Sequence, residues 1–93
     1  MPILELSSAE RSAHRSDAHA LKPIVLIGAD GLTPAVIKEV NNGLNFHGLI
    51  KVRVFGDDRE ARVAIYNQLC DELNAAPIQH IGKLFVLWRP RAE

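Results

Sequence analysis

The stretch with the clearest chemical potential is Ile27–Pro34, IGADGLTP. Gly28 and Gly31 bracket a two-residue tip, Ala29 and Asp30, at the end of an apolar run. Thr33 has the type of a helix N-cap and Pro34 that of a first helical residue. A helix starting there leaves main-chain N–H groups unpaired and places partial positive charge beside the loop. Glycines around such a tip carry no side chains, so phosphate can come within hydrogen-bonding distance of the backbone. The same glycines also have a purely geometric use, supplying positive φ to a tight strand-to-helix turn. Asp30 fits the anion reading poorly, because a neutral or basic tip suits phosphate better.

The second set of chemically useful residues is basic. Lys22, Lys51, Arg53, Lys83, Arg89 and Arg91 fall in or beside segments that read as strands, while Arg11 and Arg15 share one helix face. Asp57, Asp58, Glu60, Asp71 and Glu72 gather instead in one later helix and its start. Lys51 and Arg53 alternate with Ile50, Val52 and Val54, so the two cations share one sheet face and the apolar residues the other. Arg59 and Arg62 have Asp58 and Glu60 close by and read as helix support.

The rest offers little reactive chemistry. His14 and His19 are five apart and on different helix faces, and His47 and His80 have no cysteine or carboxylate at ligand spacing. Cys70 lies on an apolar helix stripe, and Ser7 and Ser8 read as cap residues without a partnered base. Phe55, Phe85 and Trp88 have the type to stack on bases, but a domain this small is expected to use them as core. No phosphate-binding P-loop or metal motif occurs. We therefore expect no catalytic activity and no cofactor.

These groups need a scaffold, and 93 residues suffice for one domain, with 47% apolar and 24% charged residues. Its core is expected over about residues 7–90. Eleven basic residues balance eleven acidic ones, which argues against a polycationic tail and leaves local sorting of charge as the route to a polyanion. The apolar runs Pro23–Ile27 and Leu84–Trp88 are too short to span a bilayer, and MPILELSSAE lacks the features of a secretory signal. With a single cysteine no internal disulfide forms, in keeping with a reducing cytosol.

Seven elements follow. Ser7 with Glu10 forms a capping-box pattern for a helix over about Ser8–His19. KPIVLI reads as a strand buried on both faces. The helix from Pro34 carries Val36, Ile37, Val40 and Leu44 at helical spacing and ends near Gly48. LIKVRVF is the alternating strand. Asp57 or Asp58 caps a third helix with Val63, Tyr66, Leu69, Cys70 and Leu73 on its buried stripe, and Pro77 stops it. IQHIGKLFVLW reads as a hairpin turning at Gly82-Lys83, and RPRAE as a frayed basic end. The order αβαβαββ predicts two crossovers, a final antiparallel strand and a two-layer α/β sandwich around a four-stranded mixed sheet. No helix remains for its second face, toward which Lys51 and Arg53 point.

LKPIVLIGADGLTPAVIKEV, LIKVRV, DREAR and IGKLFVLWRP, in that order, resemble the bacterial YhbY-type CRM domain (chloroplast RNA splicing and ribosome maturation). The resemblance spans roughly Ser7 to Pro90. It implies a fold similar to the C-terminal domain of translation initiation factor three. It also implies RNA binding, for stand-alone bacterial members on precursors of the large ribosomal subunit. The family's glycine loop is compared with the G-x-x-G loop of KH domains, which clamps the nucleic-acid backbone. That loop corresponds here to Gly28, Ala29, Asp30 and Gly31. The expected RNA-binding set is those four residues with Lys22, Lys51, Arg53, Lys83 and Arg89, and the expected partner is ribosomal RNA. The alternative is a protein-interaction module that docks on a ribosomal protein or assembly factor through the open sheet face.

Overall fold

The computed structural model describes residues 3–91. Its elements are α1 Ser8–Ala18, β1 Val25–Ile27, α2 Pro34–His47, β2 Leu49–Val54, α3 Arg59–Leu73, β3 Ala76–Ile81 and β4 Leu84–Trp88. This is the expected αβαβαββ order. The four strands form one sheet in the order β1-β2-β4-β3. β1 runs parallel to β2, and β4 is antiparallel to both its neighbours, so the last strand wedges between β2 and β3.

Local chemistry sets the helix starts. Ser7 Oγ accepts from the Glu10 N–H at 3.1 Å, and the Glu10 carboxylate accepts from the Ser7 N–H at 3.2 Å. Thr33 caps α2 by accepting from Val36, with Pro34 next. Asp58, not Asp57, caps α3 by accepting from Glu60 at 3.0 Å. The end of α3 differs from expectation. Asn74 adopts the left-handed conformation, φ 52°, and its N–H turns back onto α3. Pro77 lies inside β3 instead, a position open to proline because β3 is an edge strand.

α2 and α3 cover one sheet face. Val40 and Leu44 of α2 and Tyr66, Leu69, Cys70 and Leu73 of α3 pack on Ile27, Ile50, Val52, Val54, Phe85 and Leu87. Each large apolar side chain removed from water there contributes about 1.5–3 kcal/mol. Val63 lies at the surface; the stripe takes Arg62 in its place. Burial pushes the Cys70 thiol up to about 12, which fits a core residue rather than a nucleophile.

The second face is not left without a helix. α1 lies on it, burying Ala18 against Ala76, Ile78 and Val86, with Leu21, Leu49 and Trp88 around them. His14 stacks on Trp88 with ring centroids 4.5 Å apart. Eleven residues give a helix only about 16 Å long, so part of the face stays open. Leu26 and Ile81 are accordingly 60% and 52% exposed. β1 is therefore a short edge strand buried on one face, not a strand buried on both. Nor is RPRAE loose where it is described. The Arg89 N–H bonds the Gly48 carbonyl at 3.0 Å, and the Arg91 side chain packs over Gly48. Ala92 and Glu93 lie outside the described residues.

Tyr66 joins these layers. Its ring stacks on Phe85 at 4.5 Å, and its hydroxyl donates toward the carbonyls of Val86 in β4 and Gln79 in β3, beside the irregular register at Pro77/Gln79. Tyr66→Phe keeps the stack and removes the donor. Urea unfolding is expected to show a loss of about 1–2 kcal/mol with an unchanged slope. A loss within measurement error would mean the hydroxyl is dispensable.

Candidate nucleic-acid interface

The loop Gly28–Gly31 forms a closed turn between β1 and α2. The Gly31 N–H donates to the Gly28 carbonyl at 3.0 Å, and the Thr33 N–H to the Gly31 carbonyl at 3.0 Å. Gly31 has φ +72°, so the turn itself favours glycine there. Gly28 lacks that requirement. Its φ is not in the left-handed region, and a Cβ added to it would meet nothing within 4 Å. The two glycines thus differ: one is demanded by the turn, whereas the other leaves open space over the backbone. Asp30 is exposed at the tip, and among the described residues its carboxylate has no hydrogen-bond or ion-pair partner.

The sheet carries cations up to this loop. Arg53 is exposed on β2, in register with Leu26 of β1 on one side and Leu84 of β4 on the other. Val54 follows it, opposite Ile27, the residue before Gly28. Lys51 lies two residues back on the same face, half-buried at the edge of α1, and exposed Lys22 precedes β1. Lys22, Lys51, Arg53 and the loop therefore lie along one side of the molecule, the β1–β2 edge. At its far end the strip meets Asp17, which shares a cleft with Lys22 and Lys51.

Two expected residues are engaged elsewhere. Lys83 pairs with Asp57 at 2.9 Å, and this pair holds the Asp57 carboxyl below its usual range. Arg89 sits at the opposite end of the sheet from the loop. Its guanidinium donates to the Leu73 carbonyl at 2.8 Å, to Asn41 Oδ1 at 3.0 Å and to Asn45 Oδ1 at 2.7 Å. Arg89 thereby joins the end of β4 to both α2 and α3.

Phe85 is core as expected, but Phe55 is not: it is 65% exposed beside the loop, its N–H bonded to the Ile27 carbonyl at 2.8 Å. Strand alternation already held the signal, because Phe55 continues the face of Lys51 and Arg53. Phe46 on α2 is 76% exposed. Arg62 is buried, donates to the Gly56 carbonyl at 2.9 Å and leaves its Nε without a partner; nothing in its spacing announces this. Among the described residues no group of three His, Cys, Asp or Glu gathers as a metal site, and no helix is long and apolar enough to cross a membrane.

Comparison with known proteins matches this chain to named relatives. A family model described as the CRS1 / YhbY (CRM) domain matches residues 6–89. A Haemophilus influenzae protein named RNA-binding protein is 44% identical over 88 residues, covering 95% of this chain and 89% of the relative. A Pseudomonas aeruginosa protein bearing the name of a probable RNA-binding protein is 33% identical, over 92% of this chain and 83% of its own. Among solved structures, a Staphylococcus aureus hypothetical protein described as a candidate RNA binder superposes with a TM-score of 0.85. It is 28% identical and covers 96% of this chain and 93% of its own.

The contrast between the two glycines is measurable. Gly31→Ala must hold alanine at φ +72° and is expected to lower stability by about 1 kcal/mol or more. Gly28→Ala is expected to change it by less than about 0.5 kcal/mol. Equal losses in chemical unfolding would show that both glycines are structural.

Proposed function

The chain belongs to the CRS1/YhbY (CRM) domain family, and from that premise we propose that it is a non-catalytic RNA-binding protein of the cytoplasm. Its substrate is structured ribosomal RNA in precursors of the large subunit. The RNA backbone is clamped by Gly28, Ala29, Asp30 and Gly31 and steadied by Lys22, Lys51 and Arg53. The observation that carries this reading is the open approach at Gly28, lying at the end of the sheet edge that bears Arg53 and Lys51. Its chemistry is backbone contact: main-chain N–H groups and cations meet phosphate oxygens, which positions the RNA without reading its sequence. The names of the Haemophilus influenzae and Pseudomonas aeruginosa relatives support RNA as the ligand. Lys83 and Arg89 are secondary members of the footprint, because each already has partners in the fold.

A second reading has one observation in its favour. Exposed Leu26 and Ile81 give the same face apolar surface, which suits docking on a ribosomal protein or assembly factor. Sedimentation of cell extract, with this protein followed across the ribosomal fractions, separates the two. Co-migration lost after RNA digestion supports RNA; co-migration with protein that survives digestion supports docking.

The RNA reading predicts a salt law. Log affinity should fall linearly with log salt, by about 0.7–0.9 per neutralised phosphate. Lys51→Ala with Arg53→Ala should weaken binding and flatten the slope by roughly one unit per lost contact. Unchanged slope and affinity in the folded double variant would move the binding surface elsewhere.

Asp30 gives a test of opposite sign. Its unpaired carboxylate faces the phosphate position and repels it. Asp30→Asn keeps the side chain's size and its tolerance of turn conformations. RNA affinity is expected to rise a few-fold at low salt, with the gain shrinking at high salt. A salt-independent loss would sink the clamp geometry.

A further inference from the structure

α1 and α2 both end beside the start of β1. Between their C-terminal ends lies an open cleft of about 380 Å³, within the range of small-ligand sites. Its walls include Ile24 and Leu49, and its polar groups are Asp17, Lys22, His47 and Lys51. Ile24 is 48% exposed although strongly apolar, so the wall is open to a planar, partly apolar ligand. Resting on the RNA reading above, we propose that this cleft takes one unpaired guanine base of the bound RNA.

Three observations favour a base over another phosphate. First, the final carbonyls of both helices carry partial negative charge near the cleft, which favours N–H donors over an anion. Second, Asp17 presents carboxylate oxygens beside Lys22 and Lys51. Among the described residues the only ion pair within 4 Å is Lys83–Asp57, so Asp17 is not paired with either lysine of the cleft. Third, the cleft continues the strip that leads to the loop. Ile24 and Gly28 are four strand steps apart, about 13 Å, a span that a few nucleotides bridge. RNA proteins commonly read an unstacked base by its Watson–Crick edge.

The donor–acceptor pattern selects the base. Guanine presents the O6 acceptor beside two donors, N1–H and the N2 amino group. A lysine ammonium donates to O6, and the Asp17 carboxylate accepts from N1–H and N2–H. Adenine offers one donor, N6–H, beside the N1 acceptor, and cytosine one donor, N4–H, beside the N3 acceptor, so only guanine supplies two adjacent donors for both oxygens of the carboxylate. Uracil has one donor between two carbonyls, one of which would face the carboxylate. Inosine keeps O6 and N1–H but lacks the second donor.

The test uses the full chain and a short oligouridylate with one central guanosine, against the same oligomer carrying inosine, adenosine or uridine there. Affinity is read by fluorescence anisotropy at fixed salt. The guanosine oligomer is expected to bind about tenfold more tightly than the adenosine one, with inosine between them. Asp17 is exposed on α1, and Asp17→Ala should erase the preference, while the uridine oligomer, relieved of a carboxylate beside Lys22 and Lys51, binds as tightly or more tightly. Salt-dependent binding that ignores the central base, or a preference that survives Asp17→Ala, overturns the cleft assignment and leaves the backbone clamp standing. Binding of no oligomer at low salt overturns the cleft assignment; the RNA reading falls only if structured ribosomal RNA is not bound either. In a guanosine monophosphate titration, amide shifts should centre on Ile24, Leu49 and Lys51; shifts confined to other residues also overturn the assignment.

Discussion

A four-stranded sheet has two faces, and three helices cannot cover both completely. The unequal cover decides the rest of the structure. α2 and α3 seal one face, where Val52, Val54, Phe85 and Leu87 reach zero exposure. α1 spans only part of the other, its small Ala18 lying close over Val86. What it leaves open is the strip along β1 and the loop end of β2. Because side chains alternate along a strand, residues buried in the core fix which residues occupy that strip. Placing Ile50, Val52 and Val54 inside forces Lys51, Arg53 and Phe55 outside.

The remaining cations show how a neutral chain distributes its charge. Arg89 is used internally. It satisfies a carbonyl at the end of α3 and side-chain oxygens on α2, groups that two independently folded helices would otherwise leave to water. Partial burial pulls its pKa down, yet a guanidinium stays charged, so the contact persists across ordinary pH. Lys83 answers Asp57 on exposed surface, a pair of small energetic value that can exchange partners readily. Of the cations expected at the interface, these removals leave Lys22, Lys51 and Arg53, spread along the β1–β2 edge that ends at the loop.

Much of the fold was legible because its signals are local. Capping residues, helical spacing and the Gly82 turn each specify structure within a few residues, and the element order followed from them. The insertion of β4 between β2 and β3 was not legible, since strand order depends on contacts between distant segments. The docking of α1 was missed for a related reason. Its apolar contribution is slight, a buried alanine and a histidine stacked on Trp88, while Leu4, Leu6 and Leu21 outside the helix complete the packing. β1 was read as buried on both faces because KPIVLI is uniformly apolar, and composition alone cannot separate a central strand from an edge left uncovered. Pro77 took the credit for a stop that Asn74 makes, a left-handed residue whose role depends on backbone geometry. At the site, the alternation of Lys51 and Arg53 was readable, whereas the engagement of Arg89 with α2 joins residues more than forty positions apart.

The paired glycines mark where geometric explanation ends. Both read alike in IGADGLTP, and a turn explains either one. In three dimensions the turn accounts for Gly31 through its positive φ and makes no such demand at Gly28. A side chain at Gly28 would stand in open space, with no effect on packing but directly in the way of a ligand approaching the main chain. Gly28 is also the first residue beyond β1, placed by the pairing of Ile27 with Val54 next to Arg53. Bare backbone and a fixed cation are thereby set side by side by the sheet register itself. Under the proposed RNA reading, a phosphate would meet bare backbone and a cation whose positions follow from the β1–β2 register rather than from net charge.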